Sequence, residues 1–321
     1  MLSRVADAIY WMSRNIERAE NIARFVDVTL HLILDLPEGA EEQWLPLVMT
    51  TGDQEVFEKR YGPAARRNVI KFLIFDREYH NSILSCILCA RENARSIRET
   101  IASEMWEHLN HFYYRVVEAG GDFAVREAPQ DFLNEVKVAS QLFHGITDSV
   151  MSHNEGWHFA NLARLLERAD KTSRILDVKY FSLLQRGRAA GTPDDDLHWS
   201  AVLRSVSGFE MYRKRHHGIT PERVVNFLVL DRDFPRAAMF CIEEAWQSLQ
   251  AISASGTGRR NLAEQRLGQL RDDLLSATVG DIVSQGLHPF IDRLQTRLNE
   301  VGEGIYQTFI AMRPEELAGT P

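Results

Sequence analysis

Ile16-Glu17-Arg18-Ala19-Glu20-Asn21-Ile22-Ala23-Arg24-Phe25-Val26-Asp27-Val28 sets against Leu166-Glu167-Arg168-Ala169-Asp170-Lys171-Thr172-Ser173-Arg174-Ile175-Leu176-Asp177-Val178, residue 16 on residue 166, at an offset of 150. The match resumes at an offset of 155. Trp44 falls on Trp199, Lys59-Arg60 on Lys214-Arg215, Phe72-Leu73-Ile74-Phe75-Asp76-Arg77 on Phe227-Leu228-Val229-Leu230-Asp231-Arg232, and Cys86 on Cys241. The change of offset is placed in the Gly-, Pro- and Asp-rich stretch from Arg186 to Asp196, where a surface loop accepts insertion. Phe132-Leu133-Asn134 resembles Phe290-Ile291-Asp292 in a looser register. A unit this long is a whole subdomain rather than a solenoid repeat. The expectation is an all-α chain of two tandem, pseudo-equivalent helical bundles, residues 1–150 and 151–321, from an internal duplication and packed as one unit.

The helical assignment rests on period. Ile9, Met12, Ile16, Ala19, Ala23, Val26 and Leu30 recur in steps of three and four, and Phe159, Leu162, Leu166, Ala169, Ser173, Leu176 and Tyr180 repeat the stripe. Further helices are expected at about 41–60, 64–76, 79–118 and 130–150, with counterparts in the second half. The apolar run Val69 to Phe75 has strand-like composition but no partner strand, so it is assigned to a core helix. Gly120-Gly121, Pro129, Gly187 to Pro193 and Gly256-Thr257-Gly258 punctuate the pattern.

With 321 residues, 45% of them hydrophobic and 26% charged, the chain is a globular one with ample core-forming side chains. Its net charge of −8 gives no broad footprint for a nucleic-acid backbone, so no nucleic acid is expected. Three cysteines exclude a disulfide framework. Neither a secretory leader nor an apolar span long enough for a bilayer is expected, which points to the cytoplasm and away from membranes.

On a helical wheel Arg14, Glu17, Arg18, Asn21 and Arg24 gather opposite the apolar stripe, and Arg164, Glu167, Arg168, Lys171 and Arg174 take the same places in the second half. The plain reading is a solvated face of Arg–Glu neighbours, each pair worth about 0.2–0.5 kcal/mol. Two features favour a specific role. The charged positions are the same in both halves while apolar ones differ, as at Ala23 and Ser173, and arginine, whose fork suits carboxylates and phosphates, outnumbers lysine. These residues are therefore the candidate ligand or interaction face, with Glu17 and Glu167 as candidate general bases. Asp76-Arg77 and Asp231-Arg232 are read first as chain-reversal and capping residues, with Asp233 and Pro235 suiting a helix start, and second as ligand-facing pairs.

Weaker signals are read as structural. Cys86-x-x-Cys89 lacks a redox context, His108 and His111 lack a metalloprotease pattern, and His153-Asn154-Glu155-Gly156-Trp157-His158 has no match near Ser3 to Ala8. Gly256-Thr257-Gly258-Arg259-Arg260 reads as a loop without a phosphate-loop continuation. No metal ligands are assigned, the cofactor stays unknown, and nucleotide binding and self-association are left open.

Met1-Leu2-Ser3-Arg4-Val5-Ala6, Tyr10-Trp11-Met12 and Arg14-Asn15-Ile16-Glu17-Arg18-Ala19-Glu20-Asn21-Ile22-Ala23-Arg24 resemble the opening of the bacterial alpha-E family of helical proteins, named for a Glu-Arg motif. Phe227-Leu228-Val229-Leu230-Asp231-Arg232 is similar to that family's Asp-Arg segment, and Asn15 departs from it where an aromatic is expected. The resemblance implies genes beside, or fusion to, a circularly permuted ATP-grasp ligase, often with transglutaminase-like peptidases nearby, and so a theme of ATP-dependent amide or peptide bond formation. Its motif positions would be Glu17-Arg18 and Glu167-Arg168. Three roles follow as expectations: an accessory protein that binds the ligase and its peptide-like or anionic substrate; an independent enzyme with a glutamate base and an arginine clamp; or a structural Arg–Glu network where the halves meet.

Overall fold

The computed structural model describes residues 1–34, 44–184, 193–253 and 261–311, and these are helical throughout their regular structure, with no strand among them. Eight long helices carry the architecture: α1 (Ser3–Leu34), α2 (Ile83–Ser96), α3 (Ser103–Gly121), α4 (Gln130–Val150), α5 (Glu155–Leu184), α6 (Ala238–Ser253), α7 (Leu262–Ser276) and α8 (Leu287–Ile305). Helices α1 to α4 close a ring in which each packs on the next and α4 returns to α1; α5 to α8 do the same. The two rings share a seam, because α1 also packs along α5. These two helices run in the same direction: the Met1 amine meets Glu155 at 2.8 Å, Glu17 meets Arg168, and Phe25 and Ile175 line one cleft.

Both apolar stripes are buried where their side chains are described, from Ile9, Met12 and Ile16 at 0% exposure on α1 to Phe159, Leu162 and Leu166 at 2% or less on α5, and the Tyr180 side chain lies outside those described. Removing such side chains from water contributes roughly 1.5–3 kcal/mol each before chain entropy is counted. The opposite face of α1 is buried too. An amphipathic helix at the rim of a bundle turns its polar face outward, whereas α1 and α5 lie between two rings and turn theirs toward each other.

Three connections differ from the sequence expectation. The helix expected at 41–60 is two pieces, Leu45–Met49 and Gln54–Tyr61, separated by a turn in which the Thr50 and Thr51 hydroxyls donate to the Leu47 and Val48 carbonyls. The helix expected at 79–118 begins at Ile83 and breaks after Ser96, without glycine or proline, because Ile97 and Ile101 sink into the core at the turn. Val69 to Phe75 is helical, but Lys71–Phe75 widens into a π-helical turn, as does Asn226–Leu230 in the second half. Residues 186–192 and the 256–260 turn lie outside the described residues.

Candidate functional site

Midway along the shared seam the Glu-Arg dipeptides of α1 and α5 exchange partners. Arg168 donates from Nε and Nη2 to both oxygens of Glu17, at 2.9 and 2.8 Å. Reciprocally, Arg18 donates from Nε and Nη2 to both oxygens of Glu167, at 2.7 and 3.0 Å. Each is a two-pronged guanidinium–carboxylate pair, the geometry in which arginine differs most from lysine. The side chains of Glu17 and Glu167 have 0% exposure.

A further set of side chains surrounds this exchange. Arg14 donates to Glu167 at 2.8 Å, and Lys171 lies 3.5 Å from it. Asn21 donates to the Glu17 side chain at 2.9 Å. One helical turn on, Arg24 holds Glu20 at 2.6 Å and Arg174 holds Asp170 at 3.0 Å. Both arginines then reach into the other half. Arg24 Nη1 donates to Ser207 Oγ at 2.5 Å, and Arg174 Nη1 lies so close to Gly52 that a Cβ there would stand 2.8 Å away. Gly52 and Ser207 both hold left-handed backbone, at φ 79° and 52°, and Ser207 is the one non-glycine residue among those described that does so.

Burial works to raise the Glu17 carboxyl, but Arg168 and Arg236 outweigh it and hold it well below the ordinary carboxylate range. Glu167 is held down in the same way by Arg18, Arg14 and Lys171, against the same desolvation. Burial pulls Arg236 down to about 10, so it remains a cation at neutral pH. Burial also lowers His144, whose Nε2 lies 3.4 Å from Glu17 without hydrogen-bond geometry.

The wheel brought together Arg14, Glu17, Arg18, Asn21, Arg24, Glu167, Arg168, Lys171 and Arg174, and all of them sit in this seam. Arg164, its remaining member, donates instead to Asn161 at 2.5 Å. Asp76 and Asp231 lie apart, after the two π turns. Asp76 accepts from Tyr61 and from the Glu78 backbone, and Asp231 accepts from the Asp233 and Phe234 backbones at 2.9 and 2.7 Å. Arg77 and Arg232 are exposed. Asp231 thus fastens the chain reversal, and α6 begins at Ala238 rather than being capped by Asp233.

Sequence reasoning missed Arg236, which donates to Glu17, Asn21 and Glu20 at 3.2, 3.1 and 2.5 Å. It stands at the place of Asn81, which accepts from Arg18 at 2.5 Å, and the offset that aligned the Asp-Arg segments would have put the two side by side. His144 was missed as well, because α4 has no charged pattern in common with α8.

The weaker candidates have local partners or lie apart. His108 faces the Ala139 carbonyl at 2.7 Å, His111 is exposed, and His153 stacks on Trp157 at 4.0 Å. Burial pushes the Cys86 and Cys241 thiols up to about 12, while Cys89 is exposed. Among the described residues one trio, Glu17, Glu20 and His144, brings potential metal-ligand atoms within 4.8 Å of one another. Both its carboxylates already hold arginines. No helix of the described residues is long and apolar enough to cross a membrane.

Uncharacterized proteins of Mycobacterium bovis and of two Mycobacterium tuberculosis strains are each 22% identical to this chain over 334 aligned positions, covering 96% of it. The chain spans 37% of the length of each of these relatives. No solved structure matches it. The family model Alpha-E, described as a predicted alpha-helical domain with a conserved ER motif, matches residues 1–310. The chain belongs to the Alpha-E family.

Proposed function

We propose that this protein is a non-catalytic helical component of an ATP-grasp-type amide or peptide ligase system, in which the Glu–Arg seam sets the shape and the outer helices meet the ligase. The observation that carries the non-catalytic part is the state of the two candidate bases. A general base works best with a pKa near the operating pH and within reach of a substrate proton. Glu17 and Glu167 are fully buried, have both oxygens engaged by arginine, and are held far on the acidic side.

The joint action with a ligase rests on the alpha-E resemblance. More than half of each mycobacterial relative lies beyond the part this chain matches, which leaves room there for a further domain. The like order of elements in the two halves supports an origin by internal duplication, and a ligase of this class would place the protein in the cytoplasm.

Affinity purification of the tagged full chain from its own cells, with mass spectrometry of the bound fraction, tests the reading. An ATP-grasp ligase recovered in near-equal amount is the expected result. A chain that returns without one, at low and moderate salt alike, overturns the partnership.

A further inference from the structure

The seam carries more positive than negative charge. Glu17, Glu20, Glu167 and Asp170 are surrounded by Arg14, Arg18, Arg24, Arg164, Arg168, Lys171, Arg174 and Arg236, within a chain whose net charge is −8. Every one of these cations except Arg164 has a carboxylate oxygen of that group within hydrogen-bonding or salt-bridge distance. Arg164 has none among the described residues; its hydrogen bond goes to the neutral Asn161.

The two sides of the seam differ here. Arg14, the counterpart of Arg164, reaches Glu167. On the other side Arg236 joins Arg168 at Glu17, and Arg164 instead lines a cleft with Ser13, His144, Trp157 and Asn161. Burial, with Arg168 beside it, holds the Arg164 guanidinium below its ordinary range. An anion would relieve that strain. A divalent cation at the nearby Glu17–Glu20–His144 trio would add to the surplus instead, so anion chemistry is the better match to this field.

The cleft has a volume of about 20 Å³, close to the room needed by a single water-sized group. We propose that it is a carboxylate subsite, in which Arg164 receives one carboxylate oxygen end-on from an acidic ligand whose remainder lies along the surface; that this ligand is peptide-like rests on the proposed function. A cleft of that size admits one oxygen of a flat carboxylate end-on, and the tetrahedral spread of a phosphate's other oxygens needs more width at the mouth. Asp148 stands on the rim, 66% exposed and 3.7 Å from His153, and opposes an incoming anion. This site does not depend on a ligase partner, so it and the partnership can fail separately.

The test uses the full chain alone, with calorimetric titration of triglutamate and of inorganic phosphate at constant ionic strength. Triglutamate should bind the wild type, Arg164→Gln should weaken it by about tenfold or more, as loss of a charge-assisted contact implies, and Asp148→Asn should tighten it. Arg164→Gln should melt at or above the wild-type temperature, because it leaves no carboxylate stranded, whereas Arg14→Gln should melt lower. No triglutamate binding at millimolar concentration, undiminished binding by Arg164→Gln, or phosphate binding as tight as triglutamate overturns the proposal. So does an Arg164→Gln melting loss as large as that of Arg14→Gln.

Discussion

Replacing Glu17 by glutamine would keep its shape and remove its charge, leaving Arg168 without a carboxylate and Arg236 with Glu20 alone, in a buried site. The same change at Glu167 would strand Arg14 and Arg18. Replacing a buried ion pair with apolar groups can be neutral, but removing one partner typically costs about 3–5 kcal/mol, because the remaining charge is desolvated without compensation. Glu17→Gln and Glu167→Gln should each lose stability on that scale in urea unfolding. Glu17→Gln combined with Arg168→Gln should lose less than the sum of the two single changes. Losses below about 0.5 kcal/mol, the level of exposed helix pairs, would mean that the seam is a solvated face after all.

At the scale of elements, the turn after Leu45–Met49 shows how local conformation serves the seam. Gly52 combines left-handed backbone with contact against Arg174, so a side chain there would be both strained and obstructed. Gly52→Ala should destabilise the protein by about 1 kcal/mol or more in thermal unfolding, whereas Ser207→Gly relieves backbone strain and gives up the Arg24 hydrogen bond, leaving a smaller net change. An equal response at both positions would mean that the guanidinium contacts carry nothing.

Period and self-comparison made the apolar stripes and the charged residues of α1 and α5 legible, because burial on a helix writes a 3.6-residue pattern. That the charged face turns inward was legible only as one of three readings. A wheel ranks faces of one helix and is blind to a second helix that comes to cover the polar one. The break between α2 and α3 escaped for a similar reason, since Ile97 and Ile101 continue an apolar pattern and only tertiary packing turns the chain there.

For the molecule as a whole, the buried titratable groups set an acid limit in two limbs. His144 is lowered by burial, and His158 is lowered by burial and His153. Below the ordinary histidine value of 6.5 the unfolded chain binds protons that the folded one refuses, so stability is fully present above that pH and falls as pH drops. Glu17 and Glu167 are also lowered, from 4.5, so their contribution is present above that value and is lost as pH falls through their depressed folded values. Chemical denaturation between pH 8 and pH 3 should show a shallow decline followed by a steep one, and His144→Gln should remove the larger part of the first. A flat profile down to pH 4.5 in the wild type would count against a neutral, buried His144. The crossed pairing also bears on heredity. Each Glu-Arg dipeptide answers to its counterpart in the other half, so a reversal of charge in one copy survives only with a reversal in the other. The two halves differ at positions such as Ala23 and Ser173, each packed within its own surroundings, yet at Glu17, Arg18, Glu167 and Arg168 they must mutate as a couple.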